Sequence, residues 1–400
     1  MPVQITYMGT KKGLAPFVAQ VIQQAQPGVM LDAFAGMCTV GEAVAPKRQV
    51  WSNDIQVFAS DVGRALFTSS DEPPGVVQAA HVYFERFERH RECLSSLLPR
   101  SLQAEKHLFE SETYSSFLKR SAALDKSLAL ERPNLFRRQH HLFTSIYSSS
   151  YFGINQAIEA DSIIHSVSHA YGTRRISLDL KRWLLIALGR SFLKVANSTG
   201  HFAEFLRPKQ ASYERFLRQR RRSVWREWLF SIGELFPSGS ADWRKKNRCF
   251  NEDSLSLLPR LVRTKNRPAV IYADPPYTDD QYSRYYHLLD TLMLYDYPAV
   301  TGKGLYRRGR PHTSFSLKSE AVAAFAKLIA TAAKIEADLV LSYPSNGLIH
   351  EAGFDPKQLL HKHFRKVDRC FALPHSHSTF GASKGAAKAN VTEVIYFAQP

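Results

Sequence analysis

Between Val29 and Gly41 the chain reads Val-Met-Leu-Asp-Ala-Phe-Ala-Gly-Met-Cys-Thr-Val-Gly. A short apolar run passes into a turn of small residues and then into a helical pattern, the first βα step of a doubly wound sheet. Small residues at the end of such a strand let a ligand approach the backbone, although close helix packing or a pyrophosphate would select them too. About 20 residues further on, Gln49-Val50-Trp51-Ser52 predicts a second strand that ends in Asn53-Asp54. An acidic side chain there would meet the ribose hydroxyls of a nucleoside cofactor. The turn lacks the full G-x-G-x-x-G spacing, which argues against NAD.

A third strand is predicted at Ala269-Val270-Ile271-Tyr272-Ala273, and it runs directly into Asp274-Pro275-Pro276-Tyr277. Two prolines fix the backbone just beyond a strand end. An acidic side chain, rigid carbonyls and an aromatic face can then converge on one planar, amino-bearing group, and a nucleobase is such a group. Read alone, the same four residues also make a rigid loop.

Composition narrows the partners. With 400 residues, 44% of them hydrophobic, the chain can bury a large core in two or three domains. Lys plus Arg number 53 against 36 Asp plus Glu, a net charge of +17 that attracts a polyanion. The sequence contains no long uninterrupted apolar run and opens on polar and basic residues, so the expectation is a cytoplasmic protein that does not use a membrane. Cys38, Cys93, Cys249 and Cys370 are scattered without a C-x-x-C pair, which suggests neither zinc nor a disulfide framework. His361/His363 and His375/His377 alternate without a nearby acidic or cysteine partner, so no metal is expected.

Patterning divides the chain. Residues 1–72 and 249–400 alternate strand and helix and are expected to form one α/β domain, whereas 73–248 is dominated by helical spacing, as in Phe84-Phe87-Leu94-Leu97-Leu98 and Leu178-Leu180-Trp183-Leu184-Ile186-Ala187-Leu188. Basic residues concentrate at three places. Arg215–Arg226 reads as one helix that could lay Arg218, Arg220, Arg221 and Arg222 along phosphates, or simply as a solvated face. The second place holds Lys245 and Lys246, and the third holds Arg307, Arg308 and Arg310 in a Gly-containing stretch. Tyr151–Gln156 is expected to pack a helix start rather than to read bases.

Together the motifs resemble the amino-methyltransferases that modify adenine in DNA, specifically the Dam and D12-class group. Tyr7-Met8-Gly9-Thr10-Lys11 is similar to that group's N-terminal cofactor motif, Asp32 to Gly41 to its glycine-rich turn, Asn53-Asp54 to its acidic ribose motif, and Asp274 to Tyr277 to its catalytic tetrapeptide. Their order is the family's alpha arrangement. Asn251-Glu252-Asp253, Gln281–Leu289 and Leu339–Tyr343 resemble further family segments, and the likeness covers about half the chain. One departure stands out: Phe34-Ala35-Gly36-Met37-Cys38 puts a cysteine where the family commonly has a second glycine, and a positive φ there would strain Cys38.

The resemblance implies a Rossmann-like, S-adenosylmethionine-dependent methyltransferase sheet interrupted by a mainly helical target-recognition domain. Residues 1–72 and 249–400 would be the two parts of the catalytic domain and 73–248 the insertion. It implies that Tyr7, Lys11, Asp32, Phe34, Gly36, Asp54 and Asp253 hold the cofactor, with Asp54 on the ribose and Asp253 near the adenine ring. Asp274, Pro275, Pro276 and Tyr277 would act on a flipped adenine in duplex DNA, and a restriction endonuclease would be a natural counterpart. RNA adenine, the exocyclic amine of cytosine, and a DNA-binding protein without catalysis stay open as alternatives.

Overall fold

The structure is a computed structural model that describes residue 11, residues 13–376 and residues 390–400. Tyr7 and His377 lie outside the described residues. Among the described residues nine strands occur in chain order: β1 (Met30–Asp32), β2 (Val50–Asn53), β3 (Arg248–Phe250), β4 (Val270–Ala273), β5 (Val300–Thr301), β6 (Tyr306–Arg307), β7 (Asp338–Pro344), β8 (Lys366–Ser376) and β9 (Asn390–Gln399). The chain forms two compact units. One takes the segments up to Ser70, Phe236–Tyr286 and Gly309–Pro400, and the other takes Asp71–Leu235 and His287–Arg308.

The first unit is built on a seven-stranded sheet of order β3-β2-β1-β4-β7-β9-β8. The five strands from β3 to β7 are parallel, and β9 runs antiparallel to both its neighbours. Every residue of β1, β2, β4 and β7 is buried. Because successive side chains point to opposite faces, both faces of these strands must be covered, which is why Met30-Leu31, Val270–Ala273 and Leu339–Leu341 read as continuous apolar runs rather than alternating ones. Leu31, Ile271, Leu339 and Leu341 join Leu257, Leu258 and Leu261 of the helix Ser254–Val262 and Phe325, Leu328 and Ile329 of the helix Ala321–Ile335 in one apolar core. Strand order reverses between β1 and β4, so a crevice opens beyond their carboxyl ends, the position where open α/β sheets bind ligands. The register pairs Asp32 with Tyr272, and the Ala33 amide donates to the Tyr272 carbonyl at 2.9 Å, which sets the two strand ends side by side.

The second unit is mainly helical, with helices at Val76–Ser95, Pro99–Phe109, Tyr114–Glu131, Ile154–Gly172, Leu178–Val195, Tyr213–Arg220 and Val224–Gly233, and a two-stranded β5–β6 ribbon. Phe87, Leu94 and Leu98 are buried as their spacing predicts, whereas Phe84 is 51% exposed. Tyr151, Phe152 and Ile154 are buried, and the Gln156 side chain bonds Gly153, Gln219 and Arg222, so this stretch packs a helix start.

Two boundaries differ from the sequence reading. Residues 236–248 group with the sheet rather than with the helices: Ser238 donates to the Leu66 carbonyl at 3.0 Å, Arg244 to Ser69 at 2.8 Å and Asn247 to Phe67 at 3.0 Å. Conversely, 287–308 group with the helices, because the Tyr295 hydroxyl donates to the buried Asp161 carboxylate at 2.6 Å and the Tyr151 hydroxyl to the Gly304 carbonyl at 2.9 Å. Arg215–Arg226 is not one helix either. It breaks after Arg220, and the Ser223 side chain caps a new helix that starts at Val224.

Candidate active site

The cleft beyond β1 and β4 lies within the sheet unit and gathers residues from five strand ends or neighbouring loops, among them Lys11, Asp32, Phe34, Gly36, Asp54, Asp253, Asp274, Pro275, Pro276 and Tyr277. Described side chains expected at the site from sequence thus converge, although they come from stretches far apart in the chain. Asp32 ends β1 and is buried, with Oδ1 lacking a hydrogen-bond partner. Burial, reinforced by the Asp274 carboxylate, holds its carboxyl well above the usual range. A buried, unsatisfied carboxylate oxygen in a cleft suits a cationic or hydroxyl-bearing ligand group.

Asp54 follows β2 and turns its carboxylate onto the backbone. Oδ2 accepts from the Gly36 amide and Oδ1 from the Gln56 amide, both at 2.8 Å. These bonds shape the turn while leaving lone pairs for a ligand. Burial nonetheless outweighs them and pushes the carboxyl up to about 6. Asp253 accepts from the Leu255 amide at 2.8 Å and caps the helix that begins at Ser254. The ring of Phe34 is held edge-on by Phe315, at 5.2 Å between centroids.

Cys38 adopts φ 60°, the left-handed conformation that a second glycine would take without strain. Its thiol is fully buried and Cys38 does not line the cleft; a Cβ added at Gly63 would lie 3.5 Å from its sulfur. The cysteine therefore strains the turn but leaves the ligand side open.

At the end of β4, Asp274 meets Lys11, whose ammonium lies 3.1 Å from Asp274 Oδ1 and 2.6 Å from Glu393 Oε1. Burial alone would lower the lysine, but the Asp274 and Glu393 carboxylates prevail and hold it above its ordinary range. Asp274 is raised by burial, against the pull of Lys11 and with the push of Glu393. Lys11, expected on the cofactor, lines the cleft with its ammonium between Asp274 and Glu393. Tyr277 is anchored through its carbonyl, which accepts from the Leu348 amide at 3.1 Å. The cleft wall is closed by a two-point clamp: Gln281 donates from Nε2 to the Thr313 carbonyl and accepts from the Thr313 amide, each at 3.0 Å.

Glu393, on β9, and the Gln281–Thr313 clamp are absent from the sequence reading. Lys11 and Glu393 are 382 positions apart, and nothing local marks them as a pair.

Among the basic residues, Arg218, Arg221, Arg222, Lys245, Lys246 and Arg308 are exposed, and Arg310 is half-buried with Nη1 3.3 Å from Ser283 Oγ. Two expectations need correction. Arg220 is only 5% exposed and donates to the Ser150 carbonyl at 2.6 Å, because the helix ends there and its charge turns inward near Glu105. Arg307 is buried and bonded to both oxygens of Asp296, at 3.2 and 2.7 Å. Neither offers a free cationic face. Among the described residues no His, Cys, Asp and Glu group could hold a metal ion, and no helix is long and apolar enough to cross a membrane.

Residues 234–341 match the family model of the D12 class N6 adenine-specific DNA methyltransferases. The chain is 27% identical to modification methylase LlaI of Lactococcus lactis subsp. lactis over 80% of its own length and 43% of that protein's. It is 24% identical to type II methyltransferase M.FokI of Planomicrobium okeanokoites over 86% of this chain and 45% of that one. To type II methyltransferase M.NlaIII of Neisseria lactamica it is 27% identical, over 53% and 56%. The chain spans about half the length of the curated relatives it matches. With a seven-stranded, mostly parallel sheet of the methyltransferase kind, the family match and these likenesses bear out the resemblance to the D12-class adenine-specific DNA methyltransferases.

Proposed function

We propose that this chain transfers a methyl group from S-adenosylmethionine to the exocyclic N6 amine of adenine at a specific site in duplex DNA. The observation that carries this reading is the junction of Asp274–Tyr277 with Asp32 across the strand-order reversal, in one cleft. The residues fit the cofactor: Asp32 keeps a buried oxygen for its polar groups, Asp54 and Gly36 form the turn, and Phe34 supplies an apolar face. When bound, S-adenosylmethionine supplies a sulfonium methyl, whose carbon–sulfur electron pair returns to sulfur as the nitrogen–carbon bond forms.

Adenine's amine is a poor nucleophile because its lone pair is delocalised into the ring, and in a duplex it is paired and stacked, so the base must be flipped out. Tyr277 stacks on the extruded base, Asp274 accepts one amino hydrogen bond and the Pro275 carbonyl accepts the other. These contacts favour a tetrahedral nitrogen with its lone pair free. Positive charge then grows on that nitrogen before a proton is released to solvent water, so Asp274 stabilises the transition state more than the ground state.

The helical unit serves as the recognition module, with exposed Arg218, Arg221, Arg222 and Arg308 on phosphates, and the sheet unit contributes Lys245, Lys246 and Arg310 to DNA binding. The working context is cytoplasmic modification of DNA, with a restriction endonuclease as counterpart. Incubating the protein with labelled S-adenosylmethionine and mixed-sequence duplex DNA, with RNA in parallel, and then analysing nucleosides by mass tests the reading. Methyladenine from duplex DNA is the expected product, and label in RNA alone or in cytosine overturns it.

A further inference from the structure

Glu393 is fully buried on β9, in register with Pro344 of β7. Its Oε1 accepts from Lys11 Nζ at 2.6 Å and from Ser342 Oγ at 2.6 Å. Lys11 is itself 6% exposed and lies 3.1 Å from Asp274. One ammonium is thus held between the fully buried Glu393 carboxylate and the half-buried carboxylate of Asp274, and when both are ionised one negative charge of the three groups is left uncancelled. An arrangement serving only the fold would be expected to balance its charges, because each buried ion carries a desolvation cost of several kcal/mol.

We propose that Glu393 is a positioning residue for methyl transfer: it fixes the Lys11 ammonium against Asp274 and leaves the Lys11–Asp274–Glu393 trio one net negative charge to meet the cation that forms on the amine. The role rests on the proposed methyl transfer to adenine. Ser342, the next group beyond Glu393, is itself fully buried. A neutral isostere keeps the volume and an acceptor oxygen for both Lys11 and Ser342, so what it removes is the charge that repels Asp274.

The test is Glu393→Gln in the full chain. The expected result is a kcat lowered about tenfold with KM for duplex DNA within about twofold, and an acid limb of the kcat/KM profile moved to lower pH, because Asp274 loses a repelling neighbour. Independently of turnover, the carboxyl carbon of Asp274, assigned by its loss in Asp274→Asn and followed by 13C NMR, is expected to titrate at lower pH in Glu393→Gln than in the unsubstituted protein. An Asp274 midpoint that does not move overturns the proposal, as do an unchanged kcat and acid limb. A protein that methylates no adenine, yet shows the Asp274 shift, overturns the proposed reaction while keeping the link between Glu393 and Asp274.

Discussion

Gly36 donates its backbone N–H to Asp54 Oδ2 at 2.8 Å, so the acidic residue just after the second strand also braces the turn that follows the first. A second bond from the Gln56 amide completes the brace. Asp54→Ala should therefore destabilise the ligand-free protein by about 1–3 kcal/mol, since two backbone donors lose their acceptor. Urea unfolding without cofactor measures this, and an unchanged midpoint would mean that Asp54 acts only on the ligand.

Asp274 carries the opposite balance. Burial raises its carboxyl from the ordinary 3.8 to about 7, so between these values the folded chain binds more protons at this group than the unfolded chain does. Its contribution to stability is therefore fully present at low pH and is lost as pH rises through that window. Asp274→Asn should abolish methyl transfer yet be more stable than the unsubstituted protein at pH 8, by on the order of 1 kcal/mol, a trade of stability for activity. Thermal unfolding at pH 5 and pH 8 checks the sign, because the gain should shrink at the lower pH.

The same group predicts the rate profile. Asp274 must be ionised to accept from the amine, so kcat/KM should fall as pH drops below about 7. A flat profile between pH 5 and pH 8 would remove Asp274 from this role.

Neighbouring arginines should separate cleanly. Arg220→Ala should cost about 3 kcal/mol in stability, because a buried guanidinium and its bonds to the helical unit are lost. Arg218→Ala should leave stability within about 0.5 kcal/mol and reduce the salt slope of DNA binding by about 1. Chemical unfolding and binding titrations over a range of salt distinguish the two, and a swapped pattern would reverse the assignment.

The strands that form the floor of the cleft were legible because parallel strands covered on both faces open on apolar runs, and β1, β2 and β4 each end in or just before the acidic residue that the sequence marks. The strain at Cys38 was legible too, since a turn that commonly takes glycine there needs a positive φ. Where its thiol goes was not, because that depends on Gly63, 25 positions along the chain and on another element. Glu393 sits in an unremarkable strand, and only the antiparallel insertion of β9 beside β7 carries it to Lys11. Arg220 and Arg307 look like surface charge by composition, and their inward turn follows from where a helix stops and where an aspartate waits.

Strands β2 and β3 are adjacent in the sheet, with Trp51 beside Arg248, and the Val50 amide bonds the Asn247 side chain across 197 positions. The intervening chain leaves and re-enters at neighbouring points, so its length hardly matters to the sheet: doubling such a loop costs only about 0.6 kcal/mol of closure entropy. The part of the intervening chain from Asp71 to Leu235, outside the sheet unit, can therefore change in length at little cost to the pairing of β2 with β3.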